Sequence, residues 1–191
     1  MSHEWIFSLG LALLFVLCVV IGRRLGPEYR SRLGPSIQTV AAVWIFYAIH
    51  SSLVLLAAVE STWHFSVLTL VAVGGGTVLV AVGGAIHLSA AYAFRSVRRM
   101  SGLDSTRLVT EGIYRWSRNP QLVGWTLVLV GLGLVRASAM VLLLALVAWL
   151  SYRLSLPMEE ELLRRLFGEA YETYRHRTHR YFGPAREDGS E

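Results

Sequence analysis

Long uncharged runs, separated by short stretches into which the basic residues are gathered, decide what this chain can fold into. Residues 5–22 carry no charge, and Arg23 and Arg24 follow at once. As a helix rising about 1.5 Å per residue, such a run is long enough to cross the roughly 30 Å hydrocarbon layer of a bilayer. Similar runs recur at residues 37–59 and 67–94, and two shorter ones at 122–135 and 137–152 are parted only by Arg136. Within hydrocarbon every backbone N–H and C=O must find its partner inside the segment. The expected architecture is therefore an all-α integral membrane protein with about five transmembrane helices, the last two forming a tight hairpin. The short hairpin arms either just cross, with Arg136 snorkelling outward, or stop part-way.

Composition supports that class, with 54% hydrophobic and 16% charged residues. All 18 basic residues are arginine, and a net charge of +5 could suggest nucleic acid. Their placement between apolar spans instead marks them as topology signals, so no nucleic-acid partner is expected. Four arginines lie in residues 23–36, six in 95–119 and seven from Arg153 onward, against the single Arg136 on the other side. The positive-inside bias then predicts an outside N-terminus, cytoplasmic loops at 23–36 and 95–119, and a cytoplasmic C-terminus. Because the arginines come after the first apolar run and not before it, that run is expected to be a retained helix and not a cleaved signal. A lone Cys18 inside it offers no intramolecular disulfide, and no metal site is expected.

The domain reading is a transmembrane domain over 1–156 and a cytoplasmic amphipathic segment over 157–182. In that segment Leu162, Leu163, Leu166, Phe167, Ala170, Tyr171 and Tyr174 recur at helical spacing. Gly168 is placed to kink or end it, and residues 183–191 read as a polar, flexible tail. Glycines 74, 75, 76, 83 and 84 in the third span imitate a phosphate loop, but no strand precedes them. Gly76 and Gly83, seven apart, are better suited to close helix packing.

Function should concentrate in residues 111–124, EGIYRWSRNPQLVG, where rings, cations and turn chemistry interrupt the apolar sequence. Tyr114, Arg115, Trp116 and Arg118 place aromatic groups and cations at a membrane edge. Asn119-Pro120 supplies an N-cap and first-turn proline for the next helix. Free N–H groups beside Arg115 and Arg118 would attract a carboxylate or phosphate. The acidic cluster Glu159-Glu160-Glu161 should return to the same surface. Arg153, one turn before Pro157, is placed to meet an anionic headgroup or acceptor, or simply to snorkel.

Taken together, LVTEGIYRWSRNPQLVG, a helical hairpin and EEELLRRLFGEAYETYRHRTHR resemble the isoprenylcysteine carboxyl methyltransferases and related phospholipid methyltransferases. The resemblance covers roughly residues 106–184 and rests on Gly112, Tyr114, Arg115, Arg118, Asn119, Pro120, Glu159, Glu160, Phe167, Gly168, Tyr171, Tyr174 and Arg180. It departs at Asn119, where relatives often carry His, and at Leu122, where they often carry Tyr. The resemblance implies an S-adenosylmethionine-dependent membrane methyltransferase, with a lipophilic small molecule or lipid arriving from the bilayer and membrane lipids as neighbours. The acceptor would be an isoprenylcysteine-like carboxylate, a lipid amine or a thiol. It also implies a cofactor site drawn from Tyr114, Arg115, Arg118, Asn119, Pro120, Gly124, Glu159, Glu160, Tyr171 and Tyr174, with Glu160 and Arg153 as the catalytic candidates. The residue types suit that zwitterion: arginines for its carboxylate, and Glu159 or Glu160 for its ammonium, ribose hydroxyls or sulfonium. An amine or neutral thiol acceptor would need a base, for which Glu160 or a nearby tyrosine is placed. Two rivals are a nicotinamide-dependent membrane reductase of the steroid-reductase type and a haem protein using His50 and His87. Against the second stands simple hydrogen bonding of both histidines between helices.

Overall fold

A computed structural model of the chain describes residues 4–32 and 34–184, excepting the side chain of Val71. Regular structure among them is helical: α1 Glu4–Arg32, α2 Ile37–Glu60, α3 Gly76–Phe94, α4 Val97–Met100, α5 Pro120–Val135, α6 Ala139–Phe167 and α7 Glu169–Arg177. A π-helical turn, Leu70–Gly75, leads into α3, and a 3-10 turn, Gly112–Arg115, precedes α5. Among the described residues four helices are long and apolar enough to cross a membrane: α1, α2, the stretch Ala72–Phe94, and α6. The sixteen residues of α5 reach only about 24 Å. Large apolar side chains point outward along the spans, among them Leu9, Phe15, Leu55 and Leu88, each more than 60% exposed. That inversion of the water-soluble pattern is what lipid contact requires.

The core lies where α1, α2, α5 and α6 meet, around Phe7, Leu14, Phe46, Leu53, Leu129, Met140, Val141 and Leu144. Against this group α3 docks on α5 through glycines. A Cβ added to Gly83 would lie 2.6 Å from the Gly124 carbonyl, and one on Gly131 would lie 2.6 Å from the Gly76 carbonyl. Gly76 and Gly83 thus let the two backbones touch, as their spacing suggested, while Gly75 and Gly84 face open space.

At the hairpin end, Ser138 caps α6 by accepting from the Val141 N–H and donates to the Thr62 carbonyl at 2.7 Å. Arg136 does not snorkel freely. Its Nε donates to the Ala58 carbonyl at 2.6 Å and its Nη2 to the Val59 carbonyl at 3.2 Å, which satisfies the C-terminal carbonyls of α2. At the opposite end, Glu28 accepts from the Ser36 N–H and hydroxyl and from the Thr39 hydroxyl, tying α1 to the start of α2.

Two helices run further than the apolar runs suggested. Much of the loop expected over 23–36 is helical, because α1 continues through Pro27 to Arg32. Likewise the expected boundary at 156/157 falls inside a helix, since α6 runs through Pro157 to Phe167. A proline inside a helix forfeits the bond to the carbonyl four residues back. Here those carbonyls belong to Arg23 and Arg153, both exposed residues, so the helices continue. The segment over 157–182 is consequently the end of α6, a break at Gly168 with φ +51°, and α7. Of the expected tail over 183–191, residues 185–191 lie outside those described.

Candidate functional site

After α7 the chain folds back along the 3-10 turn. The Arg118 N–H donates to the His179 carbonyl at 2.9 Å, and the Gly183 N–H donates to the Trp116 carbonyl at 3.0 Å. Asn119 occupies the N-cap position of α5, but its side chain does not cap that helix. Its Nδ2 instead donates to the Arg180 carbonyl at 2.8 Å. Pro120 stands at the first helical position as expected. These bonds deliver Arg118 and Arg180 to the same carboxylate. Glu160 receives Nε of Arg180 at 3.0 Å, Nη2 of Arg180 at 2.6 Å and Nη1 of Arg118 at 3.0 Å. Only about a tenth of the Glu160 and Arg118 side chains is exposed. A carboxylate held by two guanidinium groups has its charge compensated and its lone pairs occupied. Glu160 is therefore the clasp joining α6, the turn before α5 and the C-terminal strand of chain.

Around the clasp, Tyr171 accepts from Arg118 at 3.4 Å, and Tyr174 donates to the Tyr114 carbonyl at 2.8 Å. Burial raises the pKa of all three phenols. The Glu160 charge adds to the rise at Tyr171, while Arg118 opposes it there and at Tyr174. The bidentate bond to Glu160 likewise raises Arg180.

Glu159 is placed quite differently. Among the described residues it makes no hydrogen bond and no ion pair, yet it is only partly exposed. The phenols of Tyr29, Tyr47, Tyr114 and Tyr152 lie within its electrostatic reach. It lines a cavity of about 620 Å³ that has Arg118, Asn119, Tyr114, Tyr171 and Tyr174 at its polar end. Leu25, Val40, Val43, Phe46 and Ala148 line the apolar remainder. Arg118 has a buried Nε with no partner. The cavity thus offers an unused carboxylate, the Arg118 side chain and aromatic rings beside an apolar wall.

A family model described as phospholipid methyltransferase matches residues 71–170, just over half of the chain. The chain belongs to the phospholipid methyltransferase family. Two rice proteins, from Oryza sativa subsp. indica and subsp. japonica, are each named probable protein-S-isoprenylcysteine O-methyltransferase. Each is 31% identical over 109 residues, covering 54% of this chain and 57% of the relative. The mouse protein-S-isoprenylcysteine O-methyltransferase is 30% identical over 107 residues, covering 53% of this chain and 38% of that protein. The chain spans about half the length of the curated relatives it matches.

The region shared with the phospholipid methyltransferase model holds α3, α5, α6 and both glutamates, but stops short of Tyr171, Tyr174 and Arg180. Several expected site residues lie elsewhere. Arg115 is exposed and does not line the cavity. Arg153 is also exposed; it donates to the Tyr181 hydroxyl at 2.9 Å and sits 5.9 Å from the centre of the Trp149 ring, outside the cavity lining. Gly124 is used in packing, since a Cβ there would meet the Gly83 carbonyl and the His87 N–H nitrogen, each at 2.6 Å. His50 Nε2 lies 2.9 Å from the Leu144 carbonyl, and His87 Nδ1 lies 3.1 Å from the Gln121 carbonyl. Both rings are bonded to backbone of another helix, which removes the motive for the haem reading. Sequence reasoning missed Tyr29, Tyr47 and Tyr152. Their only signal was a phenol near the same end of three different apolar runs.

Proposed function

We propose that this phospholipid methyltransferase family member transfers a methyl group from S-adenosylmethionine to a lipophilic acceptor at the cytoplasmic membrane face. The observation that carries the reading is the single cavity with Arg118, Glu159 and the tyrosines at one end and an apolar length at the other. The residues fit the cofactor's functional groups. The Arg118 guanidinium group at the polar end suits its carboxylate, and Glu159, free of any partner among the described residues, suits its ammonium or sulfonium. When bound, the cofactor supplies an electrophilic methyl group on a sulfonium. The chain's own task is then to hold the acceptor in line with that methyl and to exclude water. Glu160 contributes by fixing Arg118 in place, and the buried, protonated phenols of Tyr171 and Tyr174 close the polar end. A carboxylate acceptor arrives already ionised and needs no base. The names of the rice and mouse relatives make an isoprenylcysteine carboxylate the first acceptor to try.

Calorimetry on the purified protein in lipid nanodiscs tests the reading, followed by transfer of labelled methyl to an S-prenylated cysteine, a lipid amine and a lipophilic thiol. Binding of S-adenosylmethionine and its demethylated product, with no response to NADPH, is the expected result. Tight NADPH binding without any response to S-adenosylmethionine would overturn it. The arginine asymmetry supports a polar end on the cytoplasmic side, and a C-terminal reporter active only outside the cell would reverse that orientation.

A further inference from the structure

A smaller pocket, of about 220 Å³, opens between the C-terminal turns of α1 and α6. Gly26, Tyr29 and Arg30 line it from α1, and Met158, Glu161 and Arg165 from α6. Tyr29 and Met158 also line the large cavity, but Arg30, Glu161 and Arg165 do not. Arg30 makes no hydrogen bond or ion pair among the described residues. Its guanidinium nevertheless does not reach out past the helix end. A Cβ added at Gly26 would lie 3.7 Å from Arg30 Nη2, 3.8 Å from Nη1 and 3.5 Å from Met158 Sδ. The cation is therefore folded back over Gly26, one turn nearer the apolar run than its own Cα. Snorkelling would carry it the other way, into water. A guanidinium turned toward hydrocarbon without a counter-charge is costly.

The acids nearby do not supply that charge. Glu161 accepts from Arg164 Nη1 at 3.2 Å and from Arg165 Nε at 2.9 Å, so its charge is met by two arginines of its own helix. Glu28 is turned to the start of α2, where Ser36 and Thr39 donate to it. The Nη atoms of Arg165 make no bond among the described residues. The pocket thus holds two guanidinium groups with free N–H donors and no free carboxylate.

Depth and shape narrow the anion further. Gly26 lies four residues, about 6 Å, past the uncharged run that ends at Gly22, which is the level of the lipid headgroups. Phe15, Val19, Gly22, Gly26 and Arg30 share one face of α1, and Leu150, Leu154, Pro157, Glu161 and Arg165 stand at the same intervals on α6. Cys18 Sγ donates to Ser151 Oγ at 3.8 Å about two turns before the pocket on both helices, so the two faces run side by side. Phe15, Val19, Leu150 and Leu154 are exposed. A basic pocket at headgroup level thus continues into apolar stripes at acyl-chain level. A phosphodiester accepts paired N–H donors from a guanidinium, and a headgroup that also carries an ammonium would press it against the same arginines.

We propose that the pocket between α1 and α6 binds the phosphate of an anionic phospholipid through Arg30 and Arg165, with its acyl chains along the two exposed stripes. The site is separate from methyl transfer, because its cations lie outside the large cavity.

Native mass spectrometry of the full chain, released from dodecyl maltoside micelles after titration with lipid, tests this. Phosphatidylglycerol should form one saturable adduct, with an apparent affinity about tenfold above that of phosphatidylcholine. Arg30→Gln removes no bond within the protein and should lower that affinity about tenfold. Gly26→Leu keeps every charge but places a side chain where the guanidinium lies, and should lower it as much. Arg98→Gln, an exposed arginine on α4 that does not line the pocket, should leave it unchanged. An equal loss in Arg98→Gln would mean diffuse charge attraction and overturn the site. Phosphatidylglycerol binding that survives both Arg30→Gln and Gly26→Leu, or phosphatidylcholine binding as tight, would also overturn it. Displacement of the lipid by inorganic phosphate at equal concentration would make free phosphate the ligand and refute the lipid assignment.

Discussion

Replacing Glu160 by glutamine should unfold the site before it alters the chemistry. The substitution keeps the side chain's shape but leaves the Arg118 guanidinium, 11% exposed, without its carboxylate partner. Removing one partner of a buried ion pair costs about 3–5 kcal/mol. Arg180 is 40% exposed, so its share is screened by solvent and adds only about 0–1 kcal/mol. The amide still offers an oxygen to one arginine, which brings the expected loss to roughly 2–4 kcal/mol. For a chain of this size that lowers the midpoint of thermal unfolding by about 5–15 °C. Glu159→Gln is the contrasting variant. With no hydrogen bond or ion pair to lose among the described residues, it should leave the midpoint within about 2 °C while weakening S-adenosylmethionine roughly ten- to a hundredfold. Thermal unfolding in nanodiscs and calorimetry on the same preparations read both quantities. A Glu160→Gln protein as stable as wild type that fails to bind cofactor, beside a Glu159→Gln protein that binds normally, would reverse the two roles and refute the assignment.

Gly83→Ala should destabilise the α3/α5 contact by about 1–3 kcal/mol, since its Cβ would lie 2.6 Å from the Gly124 carbonyl; Gly84→Ala, in open space, should be neutral or stabilising by up to about 1 kcal/mol in the same unfolding assay. Arg136→Ala should cost about 1–3 kcal/mol by exposing the Ala58 and Val59 carbonyls, with S-adenosylmethionine affinity unchanged by calorimetry. The phenols of Tyr114, Tyr171 and Tyr174 are raised above their unfolded pKa of about 10, so the folded state retains protons that the unfolded state releases. Stability is therefore fully present below about pH 10 and falls as pH rises beyond it, which chemical unfolding at stepped alkaline pH should record and Tyr174→Phe should lessen.

The helical membrane class was legible in the sequence because an uncharged run of span length has few alternatives in lipid. The glycine contact was legible too, since Gly76 and Gly83 repeat at seven residues and only small residues permit such an approach. Helix ends were harder to read. Gly26-Pro27 and Leu156-Pro157 look like turn punctuation, yet each proline forfeits a bond only to the carbonyl of an exposed arginine. At the site, the return of the acid pair to the surface that carries Arg118 could be read, but which acid meets the arginines could not. Glu159 and Glu160 are adjacent in sequence and about 100° apart around a helix; both line the cavity, but only Glu160 reaches Arg118 and Arg180. Which faces which depends on the chain after α7 folding back over the turn before α5, a long-range event with no local signature. The same fold decides the fate of Arg153, whose neighbour is Tyr181 and not the cavity.

Because Pro157 does not break it, α6 works as a ruler. Glu160 follows Ala139 by twenty-one residues of uninterrupted helix, a rise of about 32 Å, against a hydrocarbon layer of about 30 Å. One end of the ruler is pinned where Ser138 and Arg136 grip the end of α2, so the depth of the acids relative to the hairpin turn cannot drift independently. Bilayer thickness then becomes a parameter of the site itself. In a thinner membrane the polar end of the cavity stands further into the headgroup layer, and in a thicker one it sinks toward the acyl chains, changing which lipid atoms lie level with Glu159 without moving any residue of the protein.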